Sequence, residues 1–260
     1  FDVVDEYAKT EPNKKALVWC DDNGEEEIFT FDDMMRRSNQ TANYFKSLGI
    51  GKGDPVMLVL KRRYEFWFCI LALHKLGAIC IPATHLLTKK DIIYRNNAAS
   101  IKMVVTVNET EVHDNVDAAL PESPTLVKRV TLFGKRDGWH TYHDEVVNFS
   151  EEFHRPEGNE ATSNQDIMLI YFTSGTTGMP KMVRHNFTYP LGHIITAKYW
   201  QNVQENGLHF TVSDTGWAKS VWGKIYGQWI CGSAVFAYDY NHKFEPTDLL
   251  KMIEKYDITT

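Results

Sequence analysis

Residues Tyr171–Lys181 read YFTSGTTGMPK. They follow the apolar run 166–172, which has the length of a β-strand, so small and hydroxylated residues come directly after a strand. A loop of this composition exposes backbone N–H groups that no side chain covers. These donors, the loop hydroxyls and the cation of Lys181 are together suited to phosphate oxygens. The stretch therefore predicts a phosphate-binding loop with a nucleoside triphosphate as its ligand.

The spacing within this loop differs from that of the Walker A motif. Walker A places Gly and Lys next to each other, whereas Gly175, Gly178 and Lys181 follow one another at intervals of three residues. Pro180 favours an extended backbone at the residue before it, and residues 182–185 can continue as a second strand. The sequence thus predicts a loop between two strands, with no helix N-terminus required beneath the phosphates. A Ser/Gly-rich surface turn is the alternative.

Strands and helices alternate around the loop. Residues 56–107 read as strand, helix, strand, helix, strand, which predicts an α/β fold with a parallel sheet and right-handed crossovers. A hairpin within residues 16–31 precedes this unit, and a second alternation begins at the loop. We expect stacked βαβ subdomains, the first over residues 1–165 and the second, with the phosphate loop, over residues 166–260.

Composition and charge exclude some classes of function. The 260 residues are 43% hydrophobic, enough for a substantial core. The net charge is −6 and the longest basic run is Lys61–Arg63, so we expect no nucleic-acid partner. Positive charge for a triphosphate must then be local, and Lys181 is the candidate. The most apolar run, residues 66–73, is far shorter than the roughly 20 residues that cross a bilayer, and it predicts a buried core helix instead.

The cysteines and the first residues of the chain indicate the cellular compartment of the protein. The four cysteines lack C-x-x-C spacing, and three of them lie in apolar runs as expected of buried thiols. A reducing cytosol suits such thiols, and residues 1–6 lack the features of a secretory signal. The sequence therefore predicts a cytoplasmic protein. The ten histidines show no zinc-binding spacing.

Three motifs together resemble one enzyme superfamily. The string at Tyr171–Lys181 resembles the signature loop of the acyl-adenylate-forming (AMP-binding) enzymes, which include acyl-CoA synthetases, luciferases and the adenylation domains of peptide synthetases. Ser213–Trp217, SDTGW, is similar to the segment that gives the acyl pocket of acetyl- and medium-chain acyl-CoA synthetases an aromatic wall. Residues 73–82 resemble an earlier motif of the superfamily. The resemblance is nearest to the medium-chain and acetyl-type acyl-CoA synthetases, and it implies the large N-terminal domain of such an enzyme.

The resemblance implies a reaction and its residues. ATP would convert a short- or medium-chain carboxylic acid to acyl-AMP, with Mg²⁺ present, and coenzyme A would then accept the acyl group. Lys181 would be catalytic, and Thr173 would help to hold Mg²⁺. Trp217, Gly216 and Thr215 would bind the acyl chain. The residues expected to bind the nucleotide are Thr173, Ser174, Gly175, Thr176, Thr177, Gly178 and Lys181.

Two departures from the family pattern limit these expectations. Thr215 stands where many members have His, which fits the acetyl and medium-chain branch. The second core motif, the ribose-binding Asp, the hinge and the C-terminal domain with its catalytic Lys all follow later in the family than residue 260. We therefore expect a fragment that is inactive alone. The alternatives are an adenylating enzyme with another acceptor, such as a carrier protein, and a non-catalytic nucleotide-binding fragment. Acyl chain length stays open, and so does the oligomeric state, a homo-oligomer included.

Overall fold

The structure, a computed structural model, describes residues 1–173, 178–242 and 245–260. Within these ranges the helices are α1 (Asp2–Thr10), α2 (Phe31–Ser47), α3 (Glu65–Leu76), α4 (Lys89–Ala99), α5 (Thr110–Ala119), α6 (Tyr142–Val146), α7 (Tyr189–Ile195), α8 (Lys219–Lys224), α9 (Tyr226–Ile230) and α10 (Pro246–Lys255). The strands are β1 (Lys15–Asp21), β2 (Glu26–Thr30), β3 (Pro55–Val59), β4 (Ile79–Pro82), β5 (Met103–Thr106), β6 (Lys128–Thr131), β7 (His140–Thr141), β8 (Ile167–Thr173), β9 (Lys181–Asn186), β10 (Leu208–Phe210) and β11 (Ala234–Asp239).

The larger sheet has the order β7-β6-β5-β3-β4-β8-β9 in the described part of the chain. Its neighbouring strands are parallel except for β8 and β9, which are antiparallel. The predicted α/β class with a parallel sheet is confirmed. The strand predicted after the loop is also confirmed, because β9 returns alongside β8.

The strand order of the larger sheet determines where a ligand site is expected. The connection from β3 to β4 runs to one side of β3, whereas β5, β6 and β7 are added on the other side. This is the order of a doubly wound sheet, in which ligands bind outside the carboxyl ends of the parallel strands. The residues that follow β3, β4, β5 and β8 therefore meet at one edge, which we call the carboxyl edge.

The smaller sheet has the order β10-β11-β1-β2 among the described strands. β1 and β2 form the hairpin predicted from the sequence, and β1 pairs in parallel with β11, from Leu17 opposite Val235 to Asp21 opposite Asp239. Both sheets thus combine strands from before and after residue 165. The subdomain boundary expected there stays a prediction.

Helix α3 lies in the interior of the fold. All of its residues are buried, as predicted for the most apolar run of the chain. Its polar groups bind neighbouring helices: Trp67 Nε1 donates to the carbonyl of Lys224 in α8 at 2.7 Å, and Lys75 Nζ donates to Asn39 Oδ1 in α2 at 2.6 Å. No helix in the described ranges is both long and apolar enough to span a membrane.

The apolar spacing after about Ser220 predicts one continuous helix, but in the structure this helix is interrupted. α8 and α9 are separated at Ile225, whose φ and ψ are −146° and −84°. The apolar periodicity continues across this break, which is why the sequence predicts one helix. The carbonyl of Lys224 accepts the indole N–H of Trp67, so a tertiary contact occupies it at the point where the helix stops. Gly227 allows close packing of α9, since a Cβ there would lie 2.6 Å from the backbone oxygen of His193.

Two further helices differ from expectation. α5 has no counterpart in the sequence prediction, because the buried face of Val112, Val116 and Ala119 is set among polar residues. Pro190 suits the first turn of a helix, and the sequence predicts one from there to about Asn202. In the structure α7 ends earlier, and a π-helical turn over Thr196–Trp200 follows it.

The basic turn Lys61–Arg63 after β3 joins the two sheets. Arg63 Nε and Nη2 each lie 3.2 Å from a carboxylate oxygen of Glu65, and Nη1 lies 3.8 Å from Asp239 Oδ2 at the end of β11. Glu65 is completely buried, and its Oε1 also lies 2.8 Å from His143 Nε2. Burial alone would raise the pKa of Glu65, but His143 and Arg63 together lower it. The buried carboxylate therefore depends on its two partners.

We predict that Arg63→Met lowers the free energy of unfolding by about 3 kcal/mol, because it leaves the buried charge of Glu65 with His143 alone. The matched control is Arg36→Met on α2, where the guanidinium pairs with three partly exposed carboxylates, those of Asp32, Asp33 and Glu151. That change is expected to cost at most about 1 kcal/mol. Urea unfolding followed by circular dichroism measures both variants, and equal losses would contradict the prediction.

Candidate functional site

The predicted phosphate loop connects β8 and β9 at the carboxyl edge. Thr173, at the end of β8, lies directly opposite Lys181, at the start of β9. Thr173 Oγ1 is 3.5 Å from the carbonyl oxygen of Lys181, and both residues are exposed. An accessible hydroxyl and an accessible ammonium group thus flank the base of the loop. The predicted nucleotide-binding residues Ser174, Gly175, Thr176 and Thr177 lie outside the described residues.

Helix α4 holds both arms of the loop. The carbonyl of Pro180 accepts a hydrogen bond from Tyr94 OH at 2.7 Å. On the other arm, the ring of Phe172 has Tyr94 at a centroid distance of 6.0 Å, and the Arg95 guanidinium lies 4.7 Å from its centroid. Gly178 has a φ of +132°, a backbone conformation that favours glycine. The positions on either side of the undescribed residues are therefore fixed by packing and backbone geometry.

The segment Ser213–Trp217 lies against the carboxyl ends of β3 and β4. The backbone N–H and the Oγ1 of Thr215 both donate to the carbonyl of Lys61, at 3.0 and 2.5 Å. A Cβ on Gly216 would lie 2.4 Å from the carbonyl carbon of Ala83, so the close approach to the end of β4 requires glycine. Because β4 is next to β8 in the sheet, the segment and the phosphate loop lie at the same edge.

Asp214 shapes the turn within this segment. Its Oδ1 accepts a hydrogen bond from the N–H of Gly216 at 2.8 Å, and its Oδ2 lies 3.7 Å from His85 Nδ1. Burial alone would raise the pKa of Asp214, but His85, the N–H of Gly216 and Arg62 together lower it. An ionised side chain thus holds the backbone that presents the next residues.

Thr215 and Trp217 differ in accessibility. Thr215 is completely buried, and its hydroxyl donates to the carbonyl of Lys61, so the contact observed for this side chain is a structural one. The side chain of Trp217 is 58% exposed, which excludes plain core packing within this chain. The predicted roles of Thr215, Gly216 and Trp217 in acyl binding stay predictions, and of these residues Trp217 offers an exposed apolar surface.

Three residues at this edge escape sequence reasoning. The carbonyl of Lys61 anchors Thr215. Arg95 underlies the loop, and its Nε is buried without a hydrogen-bond partner in the described ranges. Lys224 Nζ donates to the Ser213 carbonyl at 2.9 Å. Lys61 belongs to a basic run at a strand end, a signal that could have indicated its position. Arg95 and Lys224 lie in helices, where a single cation carries no such signal.

Comparison with known proteins identifies relatives over the whole chain. Residues 4–260 match the family model described as AMP-binding enzyme. Acyl-coenzyme A synthetase ACSM3, mitochondrial, of Pongo abelii is 33% identical over 99% of this chain and 44% of its own length. Acyl-coenzyme A synthetase ACSM4, mitochondrial, of Rattus norvegicus is 33% identical over 100% of this chain and 45% of its own length. The chain therefore spans about 45% of these relatives.

A solved structure has the same fold. The crystal structure of Brucella canis acyl-CoA synthetase matches with a TM-score of 0.86 at 22% sequence identity, over 99% of this chain and 45% of that one. At this identity the likeness concerns the fold. It agrees with the expected N-terminal domain of an acyl-CoA synthetase.

The expected cytoplasmic location is wrong by these comparisons, because the relatives are named as mitochondrial proteins. Unpaired buried thiols indicate a reducing environment, and this signal does not distinguish one reducing compartment from another.

The resemblance seen in the sequence is confirmed by three independent findings. The family model covers nearly the whole chain, the relatives are acyl-CoA synthetases, and the fold agrees with that of another such enzyme. The phosphate loop and the Ser213–Trp217 segment lie together at the edge where a doubly wound sheet binds ligands. The chain belongs to the AMP-binding enzyme family.

Proposed function

We propose that the protein containing this chain is an AMP-forming acyl-CoA synthetase that activates a short- or medium-chain carboxylic acid. The observation that carries the proposal is the position of the Ser213–Trp217 segment, which is packed against the end of β4 beside the strand that leads into the phosphate loop. A site for an acid and a site for a triphosphate are then neighbours. The names of the relatives support this reaction.

The first step requires that two anions approach each other. The carboxylate oxygen attacks the α-phosphorus of ATP, the bond to the β-phosphate oxygen breaks, and pyrophosphate leaves. Lys181, an exposed cation at the base of the loop, would offset the repulsion and stabilise the leaving group together with the loop donors. Arg95, stacked on Phe172 beneath the loop, adds a second positive charge.

Thr173 fits a role beside Mg²⁺. Its hydroxyl is exposed at the carboxyl end of β8, opposite Lys181. Magnesium in nucleotide sites takes few protein ligands and completes its shell with phosphate oxygens and water, so one accessible hydroxyl is a suitable protein contribution. The bound ion would supply charge neutralisation on the phosphates.

Trp217 would provide an apolar wall for the acyl chain. Its indole is exposed at the same edge, and each methylene buried against such a surface contributes about 0.8 kcal/mol. In the second step the sulfur of coenzyme A attacks the acyl carbonyl, a thioester forms, the bond to AMP breaks, and the thiol proton is released.

The test is pyrophosphate exchange into ATP by the full-length protein. We expect exchange only when a small carboxylic acid is present, and acyl-CoA when coenzyme A is added. Exchange that ignores the acid would contradict the proposal. Acid-dependent exchange without thioester formation would favour the alternative acceptor, a carrier protein. Absence of any exchange would favour a nucleotide-binding protein without catalysis.

We predict that Lys181→Met lowers the kcat of exchange by about 100-fold or more, the usual effect of removing a group that stabilises developing charge. The matched control is Lys9→Met, which removes an exposed lysine of α1 and is expected to leave kcat unchanged. Both variants are to be compared in initial-rate assays at saturating acid. A loss of less than tenfold in Lys181→Met would exclude this role.

We predict that Trp217→Ala raises the KM for the acid by roughly tenfold, equivalent to about 1.4 kcal/mol, and leaves the KM for ATP unchanged. The reason is the loss of apolar surface for the acyl chain without loss of core packing, so Tm should also stay constant. Trp200→Ala, at a tryptophan 72% exposed, is the matched control and should change neither constant. An unchanged KM for the acid in Trp217→Ala would place the acyl chain elsewhere.

A further inference from the structure

Lys224 is a lysine whose side chain is completely buried. Its Nζ donates to the carbonyl oxygen of Ser213 at 2.9 Å, and within the described ranges no carboxylate lies at ion-pair distance from it. Burial of an amine without a counter-ion is costly. A methionine would fill a similar volume without that cost. The hydrogen bond to the Ser213 carbonyl is thus the contact that a lysine makes here and an apolar side chain could not make.

Ser213 is the first residue of the Ser213–Trp217 segment. It is buried, and Lys224 binds its carbonyl. Two residues further on, Thr215 is bound to the carbonyl of Lys61. The turn that leads to Trp217 is therefore held at two points, by α8 and by the end of β3.

Lys224 is itself bound to the core of the fold. The backbone carbonyl of Lys224 accepts the indole N–H of Trp67 at 2.7 Å, and Trp67 belongs to the fully buried helix α3. A continuous path of two hydrogen bonds thus connects the core helix with the segment. These two hydrogen bonds position the segment relative to the larger sheet, which the short turn of the segment does not do by itself.

The amine lies in a mixed electrostatic environment. Burial lowers the pKa of Lys224 to about 7 and Arg62 acts in the same direction, while Asp214 and Asp239 oppose the shift. The charged and titratable groups that face it are His209 of β10, Arg62 of the turn after β3, Asp214 of the segment and Asp239 of β11. Burial also lowers the pKa of His209 to about 4, so that imidazole is neutral near pH 7.

We propose that Lys224 is a positioning residue for the carboxylic acid. Its ammonium group holds the Ser213–Trp217 segment at the carboxyl edge, and the segment loosens when this group loses its proton, because a charged donor makes the stronger hydrogen bond. The role in acid binding rests on the proposed function, whereas the tether is a property of the fold.

Hydrogen exchange of the full-length protein tests the tether. In Lys224→Met the amides of residues 213–217 should exchange about tenfold faster at pH 6, since a buried carbonyl loses its donor. Lys75→Met is the matched control: Lys75 is also buried, but its Nζ binds Asp5 and Asn39. It should leave exchange in residues 213–217 unchanged. Equal protection of the segment in wild type and Lys224→Met would overturn the proposal.

The pH dependence tests the proton. In the wild type, protection of residues 213–217, corrected for intrinsic exchange, should fall between pH 6 and pH 8, and in Lys224→Met it should be constant. The pKa of Lys224 is about 7 in the folded protein, below its ordinary value of 10.5. The folded state therefore carries the full cost of the buried charge below pH 7, and this cost disappears as the pH rises towards 10.5. The Tm of Lys224→Met relative to the wild type should therefore be highest below pH 7 and decline above it. Identical pH profiles in the two proteins would refute the role of the proton.

Steady-state kinetics separate the tether from the proposed function. In Lys224→Met the KM for the acid should rise about tenfold, while the KM for ATP changes less than twofold. Lys75→Met should change neither KM. Faster exchange in the segment with an unchanged KM for the acid would overturn the role in acid binding. A wild-type enzyme without acid-dependent pyrophosphate exchange would instead refute the proposed function, and the hydrogen-exchange result would still decide the tether.

Discussion

The backbone carbonyl of Lys61 is the point on which the candidate site depends. It accepts both the N–H and the hydroxyl of Thr215, a residue 154 positions later in the chain. Lys61 has a φ of +51°, a left-handed conformation that costs a non-glycine residue roughly 1–2 kcal/mol. Its Nζ binds Glu109 Oε1 and Asn241 Oδ1, each at 2.7 Å. One strained turn therefore joins the ends of β3, β5 and β11 and receives the Ser213–Trp217 segment.

The predicted phosphate loop needs positive charge in a chain whose net charge is negative. The chain carries a net charge of −6, so its long-range field does not attract a triphosphate. Two cations lie beside the predicted loop at the carboxyl edge: Lys181 is exposed at its base, and Arg95 lies against the ring of Phe172. The buried carboxylate of Glu65, by contrast, is compensated within the fold by Arg63 and His143. Lys181 is therefore the exposed cation that we propose for contact with a triphosphate.

The sequence predicted elements well where local signals set them. The spacing of Thr88 and Asp91 is that of a capping box, and this box begins α4 in the structure, because side-chain and backbone groups three residues apart satisfy each other. The β1–β2 hairpin and the buried helix α3 follow from equally local patterns. Prediction failed where a distant contact overrode the pattern, as at Ile225, next to the carbonyl that Trp67 occupies. Location was also misjudged, since buried thiols do not specify a compartment.

The sequence by itself determined the class of fold and the resemblance to the family, because residue spacing and turn chemistry act over a few positions; the phosphate-binding role of the loop after β8 stays a prediction. Tertiary structure alone decided that the motif lies beside the loop, that Gly216 meets the end of β4 and that Lys224 holds Ser213. Trp67 and Lys224 are 157 positions apart, and no local pattern encodes their hydrogen bond. Such contacts form only when the two sheets pack around α3, since burial brings together groups that the chain separates.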